Sequence, residues 1–510
     1  MSERRNRLIR YAILIGVYGF VVFIHDKGAC PYAPDSLWYA DITKNILKGN
    51  GLTCNISLAS DFSPVPSQFY GWPPLYPLMG VVPALFGLTP LHALRLISII
   101  SFILLPIPLV RLGSRIWGNT AAFIATATLP FLPTLFSLSS TALSESMFLL
   151  LLFMAVDQSI ENRSRSRRPI AAGVFLGLAS LTRMAGGIFM AGLALIYILL
   201  PNKDGRTRRQ SVLFALGIAL LIAAPWVVRN SLVTGGPSGW EEPMVEEGLF
   251  PIITASLQRG LWEVWSFGAI GLIFAKNWKP VLLVIGIIAW IAGIQKNRST
   301  IILLAWAAGY LVVIAWMRTQ GPFDSPSGGR TLVPTLMLVT FAIVGGAGAS
   351  VREFPSRFRR GAAMLFVIFI PLFIILGRFT DITELKRSHD GDSRACPIVD
   401  CSNPAIDLLH ELLDDRETVL SMLAFKTAYC LDAPSIQLPI MPYSSLELSP
   451  AMLAALSRFH NARFLYLEKP PSRAERNFPP LVLRLLNGKR IPGVEPICEG
   501  PDGFLFELRY

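Results

Sequence analysis

Asp35 stands just beyond the first apolar segment of the chain, in Pro34-Asp35-Ser36-Leu37-Trp38-Tyr39-Ala40-Asp41-Ile42. A carboxylate held at a membrane surface is a functional-site candidate, and an ionised Asp there can act as a base towards a hydroxyl. Asp41 supplies a second carboxylate close by. Tyr39, Trp72 and Tyr76 supply aromatic surface, the last two in Tyr70-Gly71-Trp72-Pro73-Pro74-Leu75-Tyr76-Pro77, where prolines stiffen the path and the rings suit the headgroup layer. Glu145, Arg183 and Arg330 sit near the ends of later apolar runs, where a cation needs a partner. Each has a plainer reading. Asp35 serves equally as a helix cap and Asp41 as a solvated face residue; Glu145 caps its helix or orients a neighbouring Arg, and the arginines form salt bridges or snorkel. His25 and His389 have no companion ligands and read as ordinary surface residues, so no metal site is expected, and without a P-loop, GxGxxG, GxSxG or HExxH motif no cofactor is expected.

The elements that must position these residues follow from composition. Mean hydropathy is +0.50 and only 16% of residues are charged, which places the 510-residue chain among polytopic membrane proteins. A net charge of +12 would suit a nucleic-acid binder if the basic residues formed one face. Instead they lie in short clusters between apolar runs, at Arg111 and Arg115, Arg163 to Arg168, Lys203 to Arg209, Lys296 and Arg298, and Arg352 to Arg360. The basicity is therefore topological, and nucleic acid is not an expected partner. With these clusters and the N-terminal arginines in the cytoplasm, spans are expected near 11–24, 90–110, 118–137, 143–158, 170–183, 186–200, 210–228, 279–295, 299–317, 331–350 and 361–378. That is about 11 transmembrane helices, with the C-terminus outside.

Two outer loops, 25–89 and 229–278, are long enough to fold. In the first, Asp35 or Ser36 is expected to cap an interfacial helix that lies on the bilayer, shows Asp41, Lys44, Asn45 and Lys48 to water, and stops at Gly49-Asn50-Gly51. After about residue 380 charge returns, and segments at 404–413, 418–423, 463–468 and 498–510 read as a helix, two strands and a final hairpin. The expected organisation is a membrane domain, 1–379, followed by an extracytoplasmic α/β domain, 380–510. All six cysteines fall in outer segments: Cys30 and Cys54 in the first loop, Cys396, Cys401, Cys430 and Cys498 after the last span. This suggests disulfides in an oxidising compartment, with Cys30–Cys54 the natural pair and three connectivities open for the rest; the alternative is buried free thiols. The sequon Asn55-Ile56-Ser57 lies in an outer loop, whereas those at Asn162 and Asn297 are expected in the cytoplasm.

The order of cytoplasmic Arg, one span, Asp-x-x-x-Tyr-Ala-Asp-Ile, Gly-x-Gly and Pro-Pro-Leu-Tyr-Pro resembles the GT-C glycosyltransferases of the protein O-mannosyltransferase and lipid A aminoarabinose transferase type. The resemblance continues through Leu143-Ser144-Glu145-Ser146, Leu181-Thr182-Arg183-Met184-Ala185-Gly186 and Gly329-Arg330-Thr331-Leu332-Val333-Pro334. It implies transfer of a sugar, with inversion, from a polyprenyl-phosphate donor to an acceptor hydroxyl of a lipid, glycan or protein, at the outer face of the membrane. Asp35 then matches the family's catalytic first-loop Asp, and Arg183 and Arg330 are candidates for the donor phosphate. Two departures stand out. Many members have Asp-Glu where this chain has Asp35-Ser36, which leaves the second carboxylate's role absent or passed to Asp41 or Glu145. Trp72 replaces a basic residue often found before Pro-Pro-Leu-Tyr. A transporter or lipid-glycan flippase, and a non-catalytic assembly protein of the same fold, are the rival readings. The short loops favour a bacterial inner membrane, with membrane lipids as the surroundings. Reporter fusions at Arg10, Arg165 and Arg208 should report a cytoplasmic location and one at Tyr510 an outer one; a cytoplasmic signal at Tyr510 sinks this topology.

Overall fold

The computed structural model describes residues 2–28, 32–58, 67–69, 72–159, 167–187, 205–234, 298–319, 329–350, 401, 404–414, 417–422, 424–438, 448–468, 480–499 and 503–510. By internal contacts the chain divides into two compact units. The first is helical. α1 (Ser2–Gly28) packs against α5 (Pro106–Trp117), α6 (Asn119–Thr128) and α7 (Pro133–Ser137), and α5 in turn packs against α8 (Glu145–Ser159). Three runs among the described residues are long and apolar enough to cross a membrane: Arg5–Asp26, Pro90–Trp117 and Gln210–Val233. The second combines α4 (Pro90–Leu104) with α5. α9 (Arg167–Thr182) packs along α10 (Gly205–Thr234) through glycine: a Cβ on Gly173 would lie 2.4 Å from the Ala215 carbonyl oxygen, and one on Gly177 2.8 Å from Ile222 Cβ. Where lipid tails are as apolar as leucine, such close backbone approach is what draws helices together.

α11 (Arg298–Thr319) and α12 (Gly329–Ser350) complete the described bundle, tied in by Trp117. Its indole donates to Thr300 Oγ1 at 2.9 Å and meets the Phe341 ring edge-on at 4.8 Å. The span expected at 118–137 is not one helix; a 3-10 turn at Leu129–Phe131 separates α6 from α7, because Pro130 and Pro133 lack the N–H that a continuous helix requires. Residues 188–200, 279–295 and 361–378 of the expected spans, and 235–278 of the second outer loop, lie outside the described residues. Arg111 and Arg115 do more than mark topology: they bond Asp157 at 3.2 and 2.8 Å, at the C-terminal end of α8. Glu145 occupies its opposite end.

The second unit is built on a six-stranded sheet in the order β2-β5-β4-β6-β8-β7. β4 (Thr418–Ser421), β5 (Ser435–Gln437) and β6 (Ala462–Glu468) run parallel; β7 (Val494–Glu499) and β8 (Gly503–Leu508) add antiparallel. Alternate residues enter separate cores. Leu420, Leu465 and Leu467 enter one, and Val419, Phe464 and Tyr466 the other, so both faces are covered. Helices α13 (Pro404–Leu412), α14 (Ala424–Leu431), α15 (Pro450–His460) and α16 (Pro480–Leu486) supply the covering layers. α15 starts where Ser449 Oγ accepts from Met452 N–H at 3.2 Å, and ends at Asn461 in the left-handed region, φ 52.

The edge strand β2 (Ile56–Leu58) comes from the segment that follows α1, pairing Ile56 with Ser435 parallel to β5. Residues 30–69 and 77–94 therefore group with residues 394–510. α2 (Pro34–Leu47) precedes β1 (Thr53–Cys54), which pairs with β3 (Ser67–Gln68). Its N-cap is Ala33, with Pro34 following and Ser36 Oγ accepting the Ala33 N–H at 2.9 Å, so neither Asp35 nor Ser36 is the cap. Its C-terminus falls as expected, at Lys48 followed by Gly49 with φ +83. α2 presents Lys48 and part of Lys44 to water, but not its other polar residues. Asp41 and Asn45 are each 1% exposed, and α14 packs on the helix. α3 (Leu75–Leu85), a segment expected to be loop, follows despite Pro83 inside it.

Asp41 explains the burial. Its carboxylate accepts the Asn55 N–H at 2.6 Å and Asn55 Nδ2 at 3.0 Å, and the Cys54 thiol donates to it. Burial pushes the Asp41 carboxyl up against these hydrogen bonds, and pushes the Cys54 thiol well above its ordinary range. Cys54 is thus a buried free thiol and not half of the expected Cys30–Cys54 disulfide: its sulfur is turned inward to Asp41 and to the Ile56 N–H at 3.4 Å. Cys30 and Cys396 lie outside the described residues. Cys401 and Cys430 form a disulfide, and Cys498 is free. The sequon Asn55 is 8% exposed, its amide committed to Asp41. Asp41→Ala removes the acceptor of three donors, which should destabilise this unit by about 1 to 3 kcal/mol. Hydrogen exchange across 53–58 checks this; unchanged protection there would remove Asp41 from the structural role.

Candidate active site

The end of the bundle that holds Glu145 is dense in polar side chains. Segment 138–144 folds back over the start of α8, with Ser146 Oγ donating to the Leu138 carbonyl at 3.2 Å. Glu145, in the first turn, benefits from the helix dipole. Arg183 follows the last residue of α9, its N–H still bonded to the Ala179 carbonyl. The two short motifs converge: Arg183 Nη1 lies 2.7 Å from Glu145 Oε1 and donates to Ser144 Oγ at 3.3 Å. Glu145 is 3% exposed, and its Oε2 has no hydrogen-bond partner among the described residues. This carboxylate holds Arg183 in place, one of the two readings that the sequence left open.

The same segment anchors a second set of contacts that the sequence reading missed. His25 is buried, with Nδ1 2.7 Å from Ser140 Oγ and its ring edge-on to Phe136. Asp26 pairs with Arg95, whose Nε donates to the Ser140 carbonyl at 3.3 Å. The Tyr76 hydroxyl meets Ser98 Oγ at 2.7 Å, and Ser98 donates to the Leu143 carbonyl at 2.7 Å. A signal existed for His25 and Asp26: adjacent ionisable residues at the end of an apolar span are costly unless partnered. Reading His25 as an ordinary surface residue, for want of companion ligands, hid it.

Asp35 lies in the first turn of α2, half-buried, again favoured by the helix dipole. Tyr39, four residues on, shares its side of the helix and is 4% exposed. Asp41 is turned into the loop interior, bonded to Asn55. Trp72 is half-buried ahead of α3, and Arg330 is the second residue of α12. Asp35, Tyr39 and Asp41 belong to one unit and Tyr76, Glu145, Arg183 and Arg330 to the other.

Residues 73–228 match the family model described as dolichyl-phosphate-mannose-protein mannosyltransferase. No curated protein sequence matches the chain significantly. Among solved structures, ArnT from Cupriavidus metallidurans in the apo state is similar over 99% of this chain and 98% of its own, with a TM-score of 0.62 at 14% identity. The same enzyme bound to undecaprenyl phosphate gives 0.61 at 15% identity, over 98% and 97% of the two chains. The Archaeoglobus fulgidus oligosaccharyltransferase gives 0.51 at 13%, over 89% of this chain and 68% of its own. The chain has the GT-C fold of these membrane glycosyltransferases.

The Glu145–Arg183 pair constrains how any variant reads out. Arg183→Gln alone leaves a buried carboxylate without its cation, whereas Arg183→Gln with Glu145→Gln leaves two neutral groups. The single variant should therefore be the less stable, with a coupling of about 1 kcal/mol or more between the sites. Thermal unfolding of the purified single and double variants measures it; simple additivity would show that the pair contributes nothing.

Proposed function

We propose that the chain is an integral-membrane, inverting glycosyltransferase that moves a sugar from a polyprenyl phosphate to an acceptor hydroxyl of a lipid, glycan or protein at the outer face of the membrane. The observation that carries this reading is Asp35 on the first turn of a braced helix in the first outer loop, in a chain whose fold matches ArnT over its whole length. The ArnT structure that holds undecaprenyl phosphate supports a polyprenyl-phosphate donor. In a GT-C frame we assign about eleven crossings, a cytoplasmic N-terminus, an outer C-terminal α/β domain and a bacterial inner-membrane location. A transporter or flippase is not favoured by a fold shared with glycosyltransferases.

The chemistry needs one base. Asp35 takes the proton of the acceptor hydroxyl as its oxygen attacks the anomeric carbon, from the face opposite the phosphate. The bond from that carbon to the phosphate oxygen breaks, its electron pair leaves with the polyprenyl phosphate, and a single displacement inverts the centre. The phosphate is already a good leaving group, so the remaining requirement is cationic: Arg183, oriented by Glu145, and Arg330 offset the charge on the departing oxygen. Glu145 acts through Arg183 and transfers no proton in this scheme. Tyr39, Trp72 and Tyr76 line the substrate loop.

Asp35→Asn keeps the size but removes the base. Transfer should fall by about 10²-fold or more while folding and membrane insertion persist. Transfer from a polyprenyl-phosphate sugar by monodisperse protein is the assay, and near-normal turnover would remove Asp35 from catalysis.

A further inference from the structure

The helix that carries Asp35 is not held by its own loop alone. α2 is followed, after β1, by the edge strand β2, which pairs with β5 in the C-terminal part of the chain, and α14 packs across α2. The C-terminal end of α14 is pinned by the Cys401–Cys430 disulfide. Two residues past Cys430, Asp432 adopts the left-handed backbone region, φ 53, which is uncommon outside glycine. Its carboxylate reaches Lys44 Nζ at 2.8 Å and Lys48 Nζ at 2.5 Å, two lysines one turn apart on α2.

We propose that Asp432 is a positioning residue for the transfer reaction, clamping Lys44 and Lys48 so that residues 394–510 set the placement of α2 and hence of Asp35. This rests on Asp35 being the base. Partial burial raises the Asp432 carboxyl, but hydrogen bonds from both lysines outweigh it and hold the group below its ordinary range, as a working ion pair requires. An isolated exposed pair contributes little, but here one carboxylate bridges two cations on a helix already packed along α14, so the clamp selects among orientations of an ordered helix. The C-terminal domain then belongs to the catalytic apparatus and is more than an appended module.

The test uses the full-length, disulfide-intact protein with two readouts: hydrogen exchange in residues 34–47, and mass spectrometry of whichever glycan or glycolipid disappears from cells when the gene is removed. Asp432→Asn should speed exchange in α2 about threefold to tenfold and lower the product, while β4 and β6 keep their protection. Asp432→Lys should do more. Combining it with Lys44→Glu and Lys48→Glu should restore both readouts, a rescue that loss of folding elsewhere would not give. Wild-type exchange and product in Asp432→Asn and Asp432→Lys, or failure of the charge-reversed triple to restore either readout, overturns the clamp. Asp35→Asn separates this from the catalytic reading: it should abolish product with α2 exchange unchanged. If it makes normal product instead, the base assignment fails, and the clamp stands or falls on exchange and charge rescue.

Discussion

Within the unit that carries Asp35, much of the structure depends on a carboxylate sealed from water. Asp41 binds both the backbone and the side chain of Asn55, and those bonds set where the chain leaves β1 and enters β2. The Asn55 carbonyl in turn accepts the Ser435 N–H at 2.8 Å, so the contact that closes the loop also starts its pairing with β5. A buried, fully bonded polar group of this kind specifies one arrangement more sharply than apolar contacts can, because alternatives leave donors unsatisfied.

The helical unit applies the same rule at its ends. Asp157 draws Arg111 and Arg115 together at one end of α8, and Glu145 meets Arg183 at the other. Between them α8 is apolar. The difference lies in number. Among the described residues Asp157 meets two arginines, whereas Glu145 meets one.

Much of this was legible in the sequence, for physical reasons. Spans announce themselves through apolar length, and β4, β6 and the final hairpin through β-branched and aromatic runs bounded by Gly and Asp. The stop of α2 was visible in Gly49, since only a residue at ease with positive φ ends a helix in that way. What stayed hidden was long-range. Nothing local tells Ile56-Ser57-Leu58 that it is an edge strand of a sheet formed at the far end of the chain. Asp41 and Asn45 looked like part of a wet face because amphipathic patterning cannot distinguish water from polar groups farther along the chain. Cys54 looked paired because sequence distance to Cys30 was short, while its actual neighbour is Asp41. Among the candidate site residues, Glu145 and Arg183 were legible singly as ions near a membrane boundary; their partnership was one of several possibilities.

The parallel register of β2 against β5 also sets an order of events during synthesis. Ile56 emerges early, but its strand partner Ser435 is made only after the described membrane helices. Until then the first loop lacks the edge that completes it, and Asn55 stands open in an Asn-Ile-Ser triplet. In a cell that attaches glycans to such triplets as chains emerge, that interval is a window for modification, and a glycan on Asn55 would occupy the space that Asp41 and the sheet edge require. Production of this chain therefore suits hosts that leave the triplet bare.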